Sequence, residues 1–122
     1  FITEVEPELV GFAKRGRAGA SPDSLVGNDG LLEIKTKLPH LMIEVLDRDR
    51  FPPEHVAQCQ GQLWVTERDW IDIAVYWPGF PMFVKRARRD EELIKEIAAQ
   101  VDRFTDELDE VVSKIRNMGA AA

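Results

Sequence analysis

The chain has 122 residues, 44% of them apolar and 31% charged, which suits one soluble globular domain with a core of its own. Its formal net charge is -6, and no apolar run approaches the about 20 residues of a membrane helix, so a spanning helix is excluded. Cys59 is the single cysteine, which excludes an intrachain disulfide; with no secretory signal visible, a reduced, cytoplasmic setting is expected. Residues 9–12 are expected as a strand running up to the basic turn of Lys14, Arg15 and Arg17. Residues 18–25 are small and irregular, a strand end opening into a loop. Gly27-Asn28-Asp29-Gly30 predicts a tight turn, because Gly, Asn and Asp tolerate the positive φ that hairpins need. Residues 31–36 follow as a strand, with Leu32 and Ile34 on one face and Glu33 and Lys35 on the other.

Residues 41–46 predict a short helix. Pro53 suits the first position of the next helix, where its missing N–H costs nothing, and that helix runs to about Val65. Residues 71–76 and 82–88 predict two strands joined by the turn Trp77-Pro78-Gly79-Phe80-Pro81. Asp90 is placed to cap a last helix. Apolar residues between positions 93 and 115 recur every three or four residues, the pattern of a long amphipathic helix expected to cover the sheet. The order strand, strand, helix, strand, strand, helix predicts an α/β (α+β) architecture, a mixed central sheet flanked by helices.

The charge is unevenly spread. From Asp90 to the end there are 9 acidic and 4 basic residues, whereas residues 1–89 hold 13 and 12. Basic residues cluster at Lys14, Arg15 and Arg17, at Lys35 and Lys37, and from Lys85 to Arg89. Such clusters can meet phosphates even on an acidic protein, and they serve equally as solvated surface.

Asp23 closes the segment Ser21-Pro22-Asp23, and Glu33 and Lys35 follow beyond the predicted turn. The turn brings the end of one segment beside the next strand, where Asp23 can meet Glu33 and Lys35. Two carboxylates and an ammonium together suit a hard divalent cation and an activated water. The lysine can hold that water and offset charge in the transition state. By itself a Glu-x-Lys pair is an ordinary solvent-facing strand. His40 and His55 match no zinc spacing, and Cys59 has no histidine arranged with it. Trp64, Trp70, Tyr76 and Trp77 lie on apolar segments and are expected to pack.

The segment SPDSLVGNDGLLEIKTK, residues 21–37, resembles the active-site hairpin of the PD-(D/E)xK nucleases, and among them the YqaJ-like, lambda-exonuclease-type viral recombinases. HVAQCQGQLWVTERDWIDIAVYWP is similar to that family's glutamine-bearing helix and the strand after it, and RRDEELIKEI to the opening of its long terminal helix. The likeness spans roughly residues 18–115 and implies a restriction-endonuclease-like core. It further implies that Asp23 and Glu33 ligate Mg2+, with Mn2+ as a substitute, and that the backbone carbonyl of Ile34 adds a ligand. Lys35 would activate the water. Gln58 would stand near the nucleophile and scissile phosphate, with His55 and Gln62 on the same helix face. Ser21, Lys37, Arg15 and Arg17 would contact DNA.

The activity implied is that of a magnesium-dependent DNA exonuclease. It would digest 5′ to 3′ from double-stranded DNA ends and serve phage-type homologous recombination in the cytoplasm of a bacterial or prophage-bearing host. A ring-like homotrimer and a single-strand annealing protein are the implied partners. Family members carry an N-terminal helical region that adds an acidic residue and a 5′-phosphate pocket. The chain opens at Phe1, so residues 1–122 are expected to be one nuclease core without that region, and Glu4, Glu6 and Glu8 are not assigned to it. Two alternatives stay open: a structure-specific endonuclease of the same superfamily, and a non-catalytic DNA-binding or assembly module.

Overall fold

The computed structural model describes residues 8–9, 13–15, 18–20 and 22–121. Its main sheet has the order β1-β4-β5-β6-β7, where β1 is Glu8–Leu9, β4 Ser24–Val26, β5 Gly30–Thr36, β6 Trp70–Tyr76 and β7 Phe83–Arg88. β2 (Ala13–Arg15) and β3 (Ala18–Ala20) pair as a separate antiparallel ribbon. β4 and β5 are antiparallel, β5 and β6 parallel, and β6 and β7 antiparallel, so the sheet is mixed. A parallel pair needs a long crossover, and here α1 (Pro39–Arg48) and α2 (Val56–Thr66) supply it. α3 (Glu91–Ala121) closes the chain.

The predicted turn is present, with Gly27 at φ 57°. Arg68 clasps it by donating from Nη1 to the carbonyls of Gly27 at 3.0 Å and Gly30 at 2.9 Å. The N–H of Asp69 adds a bond to the Asp29 carbonyl at 2.8 Å. The loop after α2 therefore locks the hairpin. Gly30 has a steric reason as well, since a Cβ there would lie 2.1 Å from the Trp70 ring.

Side-chain alternation sorts the core into two faces. Leu31 and Ile71 pack against Cys59 and Leu63 of α2. Ile73 and Val75 pack against Met42 of α1 and Phe83. Both helices thus cover the same face, the one that also carries Glu33 and Lys35. On the other face Val26, Leu32, Trp70 and Ala74 form a cluster. Arg86 lies 3.7 Å from the Trp70 ring centroid and grips buried Asp72 with two bonds, at 2.8 and 3.0 Å.

Several boundaries differ from the sequence reading. β1 spans Glu8–Leu9, and residues 10–12 of the expected strand lie outside the described residues. α1 starts at Pro39, which fits a first helical turn without needing a donor. Pro53 opens a 3-10 turn, Pro53–His55, that leads into α2. Asp90 caps α3, its Oδ1 accepting the Leu93 N–H at 3.1 Å. The apolar stripe of α3 does not lie on the sheet as expected: α3 packs beside α2, and only its start is buried, with Ile94 5% exposed whereas Phe104 and Ile115 are 63% and 61% exposed. Length is the reason. The 31-residue helix is about 46 Å long and the 11-residue α2 beside it about 16 Å.

Candidate active site

The site forms where β4 stops pairing with β5. The last rung is Ser24 with Leu32, so β5 runs on from Glu33 beyond its antiparallel neighbour. Asp23, just before β4, turns back over that open edge, and its Oδ2 accepts the Ile34 N–H at 2.7 Å. The N–H and C=O of one strand residue point to the same lateral side. The Ile34 carbonyl therefore faces the same edge as the Asp23 carboxylate. The buried ring of Pro22 anchors the approach to that turn.

Glu33 points to the α2 face and is 5% exposed. Its Oε1 lies 3.3 Å from Lys35 Nζ. Its Oε2 accepts from Gln62 Nε2 at 3.0 Å. A buried carboxylate is tolerable when both oxygens are engaged in this way. Asp23, Ile34, Glu33 and Lys35 are thus joined through one strand and two contacts. Among the described residues no cluster holds three or more His, Cys, Asp or Glu side chains fit for a metal. Two carboxylates and a backbone carbonyl are hard oxygen donors, a set that fits a magnesium-type cation retaining several waters and suits zinc poorly.

The other predicted residues fall differently. Gln58 is exposed on α2, one turn before Gln62. The glutamine that touches Glu33 is Gln62, which the sequence had placed on the same helix face without giving it a separate task. Gln60 is structural: it donates from Nε2 to the Arg88 carbonyl at 2.9 Å and accepts the Asp90 N–H at 2.9 Å, tying α2 to the start of α3. Lys37 is neutralised by Glu54 at 2.8 Å, and that bond holds the Glu54 carboxyl below its ordinary range. Arg15 lies in β2, its side chain outside the description, and Ser21 and Arg17 lie outside the described residues.

The C-terminal basic cluster is also largely paired. Lys85 meets Asp49 at 3.0 Å, Arg86 meets Asp72, and Arg89 meets Glu91 at 2.6 Å. Cys59 is fully buried, and burial together with the nearby Glu33 charge pushes its thiol up to about 12, so it is inert. Burial and the charges of Lys37 and Lys35 push His55 down, and its Nε2 is buried without a partner among the described residues. Trp70 and Trp77 pack as expected, while Tyr76 is 41% exposed.

A mixed sheet with Asp, Glu and Lys gathered at its central hairpin has the form of the PD-(D/E)xK nuclease class. Within it, the chain belongs to the YqaJ-like viral recombinase domain family, whose domain matches residues 5–69. Among solved structures, the chain is similar to an alkaline exonuclease from Laribacter hongkongensis, LHK-Exo, with 34% identity and a TM-score of 0.90. The match covers 97% of this chain and 64% of that one, so the chain spans less than two thirds of its relative's length. The same exonuclease in complex with dAMP matches at 34% identity, the same coverage and a TM-score of 0.89. No curated protein sequence matches the chain.

Proposed function

We propose that the chain is the core of a divalent-cation-dependent DNA exonuclease that hydrolyses phosphodiesters at double-stranded ends. The observation that carries this reading is the Asp23–Ile34 bond, which places one carboxylate beside the strand that bears Glu33 and Lys35. Asp23, Glu33 and the Ile34 carbonyl would hold the cation, Mg2+ in the first instance and Mn2+ as a substitute. When bound, such a cation polarises a phosphoryl oxygen and lowers the pKa of water. Lys35 holds the attacking water and offsets negative charge as the phosphorus is attacked. Gln58, exposed one turn from Gln62, would meet the phosphate. Ser21, Arg15, Arg17 and Lys37 are the proposed DNA contacts, Lys37 by exchanging Glu54 for phosphate.

The dAMP complex of the similar exonuclease supports a deoxynucleotide product. The family supports a place in phage-type recombination. Digestion 5′ to 3′, a homotrimer, a single-strand annealing partner and a bacterial host belong to the same proposal. The test is digestion in magnesium of linear duplex labelled at either end, beside a covalently closed circle. Loss of label from the 5′ end of the linear duplex, with the circle intact and Asp23→Asn inactive, is the expected result. Cutting of the circle would assign the site to an endonuclease instead.

A further inference from the structure

Gln62 is 5% exposed, with Leu63 beside it packed in the core. A glutamine in such a place normally satisfies both ends of its amide. Here only one end is satisfied among the described residues. Nε2 donates to Glu33 Oε2 at 3.0 Å, and Oε1 is buried with no hydrogen-bond partner among the described residues. The orientation of the amide is forced, because an ionised carboxylate only accepts and the nitrogen must face it. The unpaired acceptor therefore stands beside a carboxylate whose other oxygen already faces Lys35.

We propose that Gln62 is a positioning residue for the cation site, acting through Glu33. Its N–H fixes the Glu33 carboxylate in one rotamer and leaves Oε1 for the cation and Lys35. Its amide oxygen is the acceptor for a water ordered beside that carboxylate. Groups that orient a metal-ligating side chain typically change metal affinity by about 10–100-fold when removed. This inference rests on the metal-site reading above, and it adds a residue that never touches the substrate.

Gln62→Met keeps the length and helix preference of the side chain and removes both polar ends. Calorimetric titration with Mn2+ should give a Kd raised about 10–100-fold over the wild type, with the far-ultraviolet circular dichroism unchanged. In a Glu33→Asp background, whose shorter side chain cannot reach Gln62, the same change should alter the Kd less than twofold. A direct reading on the wild type covers the case of a misfolded variant. The Gln62 side-chain amide signal in a proton–nitrogen spectrum should shift on adding Mg2+ and broaden with Mn2+. If Glu33→Ala abolishes Mn2+ binding while Gln62→Met stays within twofold of wild type, or the amide signal does not move, the positioning role is wrong and the site stands. If the wild type binds no Mn2+, or Glu33→Ala binds it unchanged, the metal-site reading fails and the role of Gln62 falls with it.

Discussion

Asp23 Oδ2 accepts the backbone N–H of Ile34 at 2.7 Å, across a hairpin whose turn lies between them. The bond closes the open edge of β5, and under the proposed metal site the remaining oxygen of Asp23 would have a separable task, ligating the cation. An asparagine retains an oxygen that can accept the Ile34 N–H, and an alanine does not. Asp23→Ala should therefore be less stable than Asp23→Asn by about 1 kcal/mol in urea denaturation, the value kept low because the bond is exposed. Mn2+ affinity should fall strongly in both variants. Equal stability would show that the bond to Ile34 does no structural work.

Lys35 lies 3.3 Å from Glu33 Oε1 and its side chain is 26% exposed, so its ammonium can reach solvent and substrate. If it acts on the attacking water, its contribution appears in the transition state and not in ground-state binding. Lys35→Ala should lower kcat and kcat/KM together, by about 10²–10⁴-fold, with DNA affinity little changed. A rise in KM alone would make Lys35 a phosphate-binding residue.

How much of this was legible beforehand depends on the range of each interaction. The Gly27–Gly30 turn and the alternation of Glu33 and Lys35 are local, and short-range chemistry suffices to read them. The Asp90 cap is local too. The Lys37–Glu54 pair and the Gln62–Glu33 bond join residues separated by a crossover, so no spacing rule announces them. Helical periodicity placed Gln58 and Gln62 on one face, but only the packing of α2 on β5 decides which of them reaches the carboxylate. The stripe of α3 misled because periodicity shows which face is apolar and not which element, here α2, lies against it or for how far.

Gly30 opens β5 and sits under the Trp70 ring, where a Cβ would lie 2.1–2.4 Å from three ring atoms. An aromatic ring packed in the core cannot yield by that much without moving β6. Gly30→Ala should cost about 3 kcal/mol, and combined with Trp70→Ala it should cost clearly less than the two single changes added together. Additive losses would indicate that the clash is relieved elsewhere.

The two ends of α3 should answer differently to mutation. Ile94→Ala removes a side chain that is 5% exposed and should destabilise by about 2–4 kcal/mol. Phe104→Ser alters a side chain that is 63% exposed and should stay within about 0.5 kcal/mol. Chemical denaturation of both variants checks this, and a large loss for Phe104→Ser would show that the outer half of the helix is covered in solution.

The pH dependence of stability should carry the signature of His55. Burial is the main cause that lowers its pKa from 6.5, and the positive charges of Lys37 and Lys35 act in the same direction. Glu54, next in sequence, opposes them more weakly. Below the ordinary value the unfolded chain binds a proton that the folded one resists, so stability rises with pH across that window. The contribution is fully present above about pH 6.5 and is lost as the pH falls through that value toward the depressed folded one. Urea denaturation at pH 7.5 and 5.5 should show the wild type losing stability at the lower pH. His55→Gln, which cannot take up a proton, should lose less over the same interval. An equal loss in both proteins would assign the acid sensitivity to other groups.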